Sequence, residues 1–171
     1  MMTADMQFRP AVPEDAIEIA DFMTRNFLAA YGHSASPENT QKAVQDYYGV
    51  DAQHADLAND RIVNCLCIVG DKIAGLAQVK PPKADSDPYR FELSRFYVDA
   101  QYHGKGIAPV LMQTTMDIIR TRGANSLWLS VWQGSQQAVR FYQKQGFVIT
   151  GETIFMIGDD PANDWVMTKR L

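Results

Sequence analysis

The run Val98-Asp99-Ala100-Gln101-Tyr102-His103-Gly104-Lys105-Gly106-Ile107-Ala108 places two glycines, a lysine and an imidazole just ahead of an apolar-periodic stretch. It reads as the end of a strand, a glycine loop and the start of a long helix. The first N–H groups of such a helix have no internal partners, and the helix dipole adds partial positive charge there. Glycines let the backbone take positive φ and approach a ligand closely. Together these suit a phosphate or pyrophosphate, although a plain helix-entry turn explains the same residues. Lys105 could add a point charge, with its side chain expected in solvent. His103 brings an imidazole, but its place in the loop suggests use of its backbone. A Walker loop is excluded because Gly104-Lys105-Gly106 is followed by Ile107. A dinucleotide fingerprint would need three glycines in a parallel unit near the first strand.

A second constellation, Trp132-Gln133-Gly134-Ser135 followed by Ala138, Phe141, Tyr142, Gly146 and Phe147, runs strand, polar turn, helix, glycine stop, strand. Alone, Phe141 and Tyr142 read as core aromatics; the upstream loop is what raises Tyr142. Cys65 and Cys67 lie two apart, which in a strand places them on one face. With no second pair and no nearby histidine, they read as small core residues in a reducing compartment and not as a metal site.

These residues need elements to hold them. A strand at 7–10 precedes a helix opened by Pro13-Glu14-Asp15, with Ala16, Ile19, Ala20, Met23 and Phe27 at helical spacing. A second helix is predicted from Ser36-Pro37, running to about Tyr48 with Val44, Tyr47 and Tyr48 toward the core. A further short helix falls within 50–60. The stretches 62–69 and 73–80 form a hairpin around Gly70-Asp71-Lys72, and the proline-rich segment 81–88 leads to a strand over 89–99. A long helix carrying Ile107, Val110, Leu111, Thr114 and Ile118 stops at Gly123. Strand 127–132, a shorter helix, and strands 147–156 and 165–171 around a polar turn complete an α/β sheet of mixed direction.

With 171 residues, 46% hydrophobic and 21% charged, the chain is expected to form one domain, residues 1–171, with a sizeable core. The net charge of −4 argues against a nucleic-acid partner and fits a cationic substrate, or solubility alone. No apolar run approaches the roughly 20 residues of a membrane helix, and Met1-Met2-Thr3-Ala4-Asp5-Met6-Gln7 lacks a secretion-signal layout. The expected location is the cytoplasm.

On Gln101, Gly104 and Gly106, with Ala138, Phe141, Tyr142, Gly146 and Phe147 about thirty residues on, the chain resembles the GCN5-related N-acetyltransferase (GNAT) superfamily. The likeness runs from Phe8-Arg9-Pro10-Ala11 to Met167-Thr168-Lys169. Within it, Leu127-Trp128-Leu129-Ser130-Val131-Trp132 and the ending Phe155-Met156-Ile157-Gly158 to Leu171 look like bacterial spermidine/spermine acetyltransferases. The resemblance implies a mostly antiparallel sheet of six or seven strands, helices on both faces, and a splayed parallel pair ending near Val98 and Val131.

It also implies acetyl-CoA as co-substrate, with no metal. Backbone groups of Phe96, Tyr97 and Val98 would pair with the pantetheine arm, and the Val98 amide would polarise the thioester carbonyl. Gln101, His103, Gly104, Lys105, Gly106, Ile107 and Ala108 would form the pyrophosphate loop, and Ser135 would reach the cofactor arm where the family often has asparagine. The implied reaction is direct attack of an amine, with Tyr142 as general acid toward the leaving thiolate. Glu92 is the candidate base, directly or through water; a solvated strand glutamate is the alternative. Ser94 departs from the polyamine enzymes, which tend to carry a second acid there. Polyamines are one expected acceptor, with Glu38, Asp46, Asp51 and Asp56 able to attract a polycation; a solvated face is the alternative role for these acids. A protein N-terminus, a lysine or an antibiotic amine are alternatives, as is a non-catalytic acyl-CoA sensor. Homodimerisation stays open.

Overall fold

A computed structural model describes residues 5–33 and 35–171. Along the chain come β1 (Met6–Pro10), α1 (Ala16–Tyr31), α2 (Pro37–Ala43), α3 (Val50–Ala58), β2 (Val63–Val69) and β3 (Lys72–Lys80). After these follow β4 (Arg90–Val98), α4 (Ile107–Thr121), β5 (Ser126–Trp132), α5 (Gln136–Lys144), β6 (Val148–Ile157) and β7 (Asp160–Arg170). Among the described residues the strands form one seven-stranded sheet in the order β1-β2-β3-β4-β5-β7-β6. Its neighbours pair antiparallel except β4 and β5, which run parallel. The segment Met1–Ala4, considered above for a secretion signal, lies outside the described residues.

Alternation along the strands divides the interior between the two faces. On one, Val63, Cys65, Ala77, Val79, Leu127 and Leu129 meet Leu111, Met112, Met116 and Ile119 of α4, and the apolar side of α5 joins them. On the other, Leu66, Ile73 and Leu76 meet Ile19, Phe22, Met23 and Phe27 of α1, together with Ala43 and Tyr48. Cys65 and Cys67 are free, fully buried thiols on the α4 face, and burial pushes both upward in pKa, Cys67 to about 11.

Two local expectations need correction. Ser36 caps α2 as predicted, its Oγ accepting from Asn39 N–H at 3.2 Å. However, the α-helix gives way at Val44–Tyr48 to a π-helical turn, which rotates the later side chains. Tyr48 stays in the core, while Tyr47 is 54% exposed and its carbonyl accepts instead from Arg95 Nη2 (2.8 Å) and Gln53 Nε2 (3.2 Å). Likewise β7 starts at Asp160, five residues before the predicted Trp165. Polar composition concealed a period of two in which Ala162 and Asp164 point inward and Asn163 outward. The Asp160 carboxylate, at the start of the strand, accepts from Ser36 N–H (2.7 Å) and Asn39 Nδ2 (3.0 Å) at the first turn of α2.

Candidate active site

The parallel pair is where the sheet opens. β4 and β5 stay in register only at Arg90–Ser126, Phe91–Leu127 and Glu92–Trp128. Beyond these residues β4 keeps its ladder with β3 alone, as far as Gly75–Val98. A bulge contributes to the divergence, because Gln78 pairs with Arg95 and Val79 with Leu93, leaving Ser94 as the extra residue; such bulges bend the strand that carries them. Asp99 N–H donates to Ala74 O at 2.9 Å, on the β3 side. Backbone groups alternate sides along a strand, so the Val98 amide and carbonyl face the opening toward β5. His103 Nε2 lies 2.8 Å from that Val98 carbonyl oxygen.

The loop enters α4 in a conformation open to glycine. Gly104 and Gly106 have φ of +76° and +79°, and Gly106 is the N-cap residue of α4. A Cβ at Gly106 would meet no atom within 4 Å, so the left-handed backbone, not crowding, is what calls for glycine there. Pro109, in the first turn of α4, has no N–H and contributes no free donor. Across the opening, α5 begins after Gly134, where a Cβ would come within 2.5 Å of the Trp132 indole. Its Tyr142 ring is set against Phe141 (centroids 5.4 Å), Phe147 (5.7 Å) and Phe96 (6.3 Å), and Phe96 stacks on Phe141 at 5.5 Å.

These pieces enclose a cavity of about 540 Å³. Of the residues singled out from the sequence, Phe96, Val98, His103, Gly104, Gly106, Ile107, Ala108, Ser135 and Tyr142 line it. Tyr102, Pro109, Gln137, Ala138 and Phe141 join them; Ala138 and Phe141 already stood out in the second motif, while Tyr102 and Gln137 carried no signal separable from ordinary loop and helix residues. A second cavity of about 460 Å³ opens toward α1 and shares Phe96, Val98, His103, Ser135, Gln137, Ala138 and Tyr142. Tyr97 lines this one, together with Ser94, Arg95, Asn26 and Ser130. Tyr142 therefore stands where the two meet.

Three expected site residues lie outside both cavities. Gln101 is exposed in a 3-10 turn, Ala100–Tyr102. The exposed Lys105 holds its Nζ 5.3 Å from the centre of the Tyr102 ring. Glu92 is half-buried, cross-strand from Lys80 and Trp128, at the last position where β4 and β5 still pair.

The second cavity has a polar floor. Ser94 Oγ donates to Gln78 Oε1 at 2.8 Å; fully buried Gln78 in turn donates to Asn64 Oδ1 and Asp56 Oδ2, both at 3.0 Å. Arg95 reaches Asp56 at 3.2 Å and lies over the Tyr48 ring at 4.9 Å. Of the acids considered for a polycation, Glu38, Asp46 and Asp51 are exposed, whereas Asp56 is engaged by Arg95 and Gln78. Among the described residues no group of three or more His, Cys, Asp or Glu is placed to hold a metal. None of the described helices is long and apolar enough to cross a membrane.

Comparison with known proteins agrees with this layout. The model of the acetyltransferase (GNAT) family matches residues 19–147. Uncharacterized N-acetyltransferases of Mycobacterium bovis and Mycobacterium tuberculosis are 34% identical over 158 residues, covering 92% of this chain and 98% of theirs. The spermine/spermidine N(1)-acetyltransferase of Bacillus subtilis is 30% identical over 77 residues, 43% of this chain and 51% of that one. In fold, the crystal structure of PaiA N-acetyltransferase from Thermoplasma acidophilum, in complex with coenzyme A, superposes with a TM-score of 0.82 at 18% identity, covering 98% of this chain and 99% of that one. The predicted mixed sheet, its parallel pair and the flanking helices are thus those of its relatives, and the chain belongs to the GNAT family of acetyl-CoA-dependent N-acetyltransferases.

Proposed function

We propose that the chain, acting as one catalytic domain, transfers the acetyl group of acetyl-CoA directly to a primary amine, a polyamine such as spermidine or spermine being the acceptor first to test. The observation that carries this reading is the splay of β4 from β5 beyond Glu92 and Trp128, opening onto the glycine loop at the start of α4 with Tyr142 on its wall. Lining by backbone and apolar rings fits a pantetheine arm, which can add to the β4 edge as a strand would. Amides of the 103–108 loop fit a diphosphate, and Ser135 is on the same cavity wall. The Val98 amide faces the opening, where it can donate to the oxygen of a thioester carbonyl as negative charge develops.

The chemistry then divides between the two cavities. The thioester brings the acyl carbon, the second cavity admits the amine, and Tyr142 stands at their junction. An aliphatic amine with pKa near 10 must lose a proton before it attacks, and a departing thiolate takes one up. Tyr142 is the donor to sulfur. Support for a polyamine comes from the Bacillus relative, whereas Ser94 offers a hydroxyl, already committed to Gln78, in place of a second acid. The test is release of free thiol from acetyl-CoA with spermidine, spermine, lysine, N-terminal peptides and aminoglycoside amines. Turnover with the polyamines and not the peptides supports the reading; turnover confined to another class reassigns the acceptor.

A further inference from the structure

Behind the wall of the second cavity lies an acid that none of the motifs singled out. Asp164 on β7 is 4% exposed, and its Oδ1 has no hydrogen-bond partner among the described residues. Its cross-strand neighbours are Trp132 on β5 and Thr153 on β6. Ser130, two residues before Trp132, points to the same face of the sheet. It is exposed and lines the second cavity beside Ser94 and Tyr142, and its hydroxyl interacts with the Asp164 carboxyl. A buried carboxylate with an unsatisfied oxygen is costly; its placement one hydroxyl away from a substrate-sized space gives it a use.

We infer that Ser130 and Asp164 form a relay that takes the proton of the incoming amine. This deepens the proposed function and rests on it. The ammonium passes one proton to Ser130 Oγ as the Ser130 proton moves to the Asp164 carboxylate. The neutral nitrogen then bonds to the thioester carbonyl carbon, and the carbon–sulfur bond breaks. Sulfur takes the Tyr142 phenolic proton, and the remaining acidic N–H proton returns to Tyr142. The proton on Asp164 passes to water, so one N–acyl bond and one S–H bond are formed and one proton is released. Burial raises the Asp164 pKa to about 6, and the Ser130 hydroxyl opposes that rise. The charged groups on the strands around it are Arg90, Glu92 and Arg95 of β4, Glu152 of β6, and Asp160, Lys169 and Arg170 of β7 itself, with His33 after α1, whose ring faces Trp132. None of them is among the causes of the shift. An acid titrating near 6 is ionised at neutral pH and still basic enough to accept a proton.

The experiment is kcat/KM against pH with acetyl-CoA and a reactive amine for the unaltered protein, D164N, S130A and E92Q, with coenzyme A affinity measured on each by calorimetry. Carbon-13 NMR of labelled aspartate reads the carboxyl directly, without turnover. The relay predicts an acid limb near pH 6 that D164N abolishes with a loss of about 10²-fold in kcat/KM, while S130A loses about 10-fold. It also predicts unchanged coenzyme A affinity in both variants and an aspartate resonance titrating near 6 that D164N removes. Turnover in D164N with the unaltered pH profile overturns the relay alone, as does loss of the limb in E92Q and not in D164N. Absence of turnover by the unaltered protein with every amine overturns the proposed function and the relay with it.

Discussion

On its α4 and α5 side the splayed strand pair is faced by backbone edges, left-handed glycines and a stack of aromatic rings. On the α1 to α3 side it is faced by polar side chains tied to partners far off in sequence, Ser94 to Gln78, Arg95 to Asp56 and Asp164 toward Ser130. The first region works with main-chain donors and apolar walls, so its requirements are local and recur as short motifs. The second depends on hydrogen bonds inside a low-dielectric interior, where leaving one group unmatched is costly. A carrier that stays the same suits the first kind of surface, and an acceptor that varies suits the second.

Substitutions on either side should separate these roles. Y142F, at the junction, should lower kcat by about 10²-fold or more while coenzyme A affinity changes little; thiol release and calorimetry read the two. Asp164 gives a pH signature in stability. Its folded pKa of about 6 lies above the ordinary 3.8, so between these values the folded state holds more protons than the unfolded. Stability therefore falls as pH rises through that window and stays lower above it. D164N should remove the loss, raising unfolding free energy at pH 8 by up to about 3 kcal/mol, with the gain vanishing near pH 4 in urea titrations. Q78L, which strands Ser94, Asn64 and Asp56, should destabilise by about 1–3 kcal/mol in the same titrations without altering coenzyme A affinity. G106V imposes a side chain on a left-handed backbone at the start of α4, at a strain of about 1–2 kcal/mol. Coenzyme A affinity should weaken about tenfold by calorimetry.

The same division governs what could be read from the residues alone. Gly104 and Gly106 before an apolar-periodic helix, and Phe141-Tyr142 before a Gly-Phe stop, name their surroundings within a few positions, and the structure assembles them on one cavity. The β2–β3 hairpin and the two long amphipathic helices are equally plain, because period and turn residues coincide. Tyr47 misled because a π-helical turn leaves no mark in the apolar spacing. The early start of β7 is hidden by exposed Asn163 and by Asp160 and Asp164, acids whose partners lie at the start of α2 and on β5. Asp164 itself had no motif; its burial and its neighbour Ser130 arise only once β5 and β7 pair. Gln101 matches a pattern in spacing, yet its side chain stands outside the cavities that the loop backbone helps to line, whereas Lys105 is exposed as its place in the loop suggests.

The most direct test of the central claim is a crystal structure of the protein grown with acetyl-CoA. The account predicts diphosphate density against the main-chain amides of residues 103–108, the pantetheine arm along the free edge of Phe96 to Val98, and the thioester within reach of Tyr142. Coenzyme A bound elsewhere, with β4 and β5 closed on each other beyond Glu92, would contradict it.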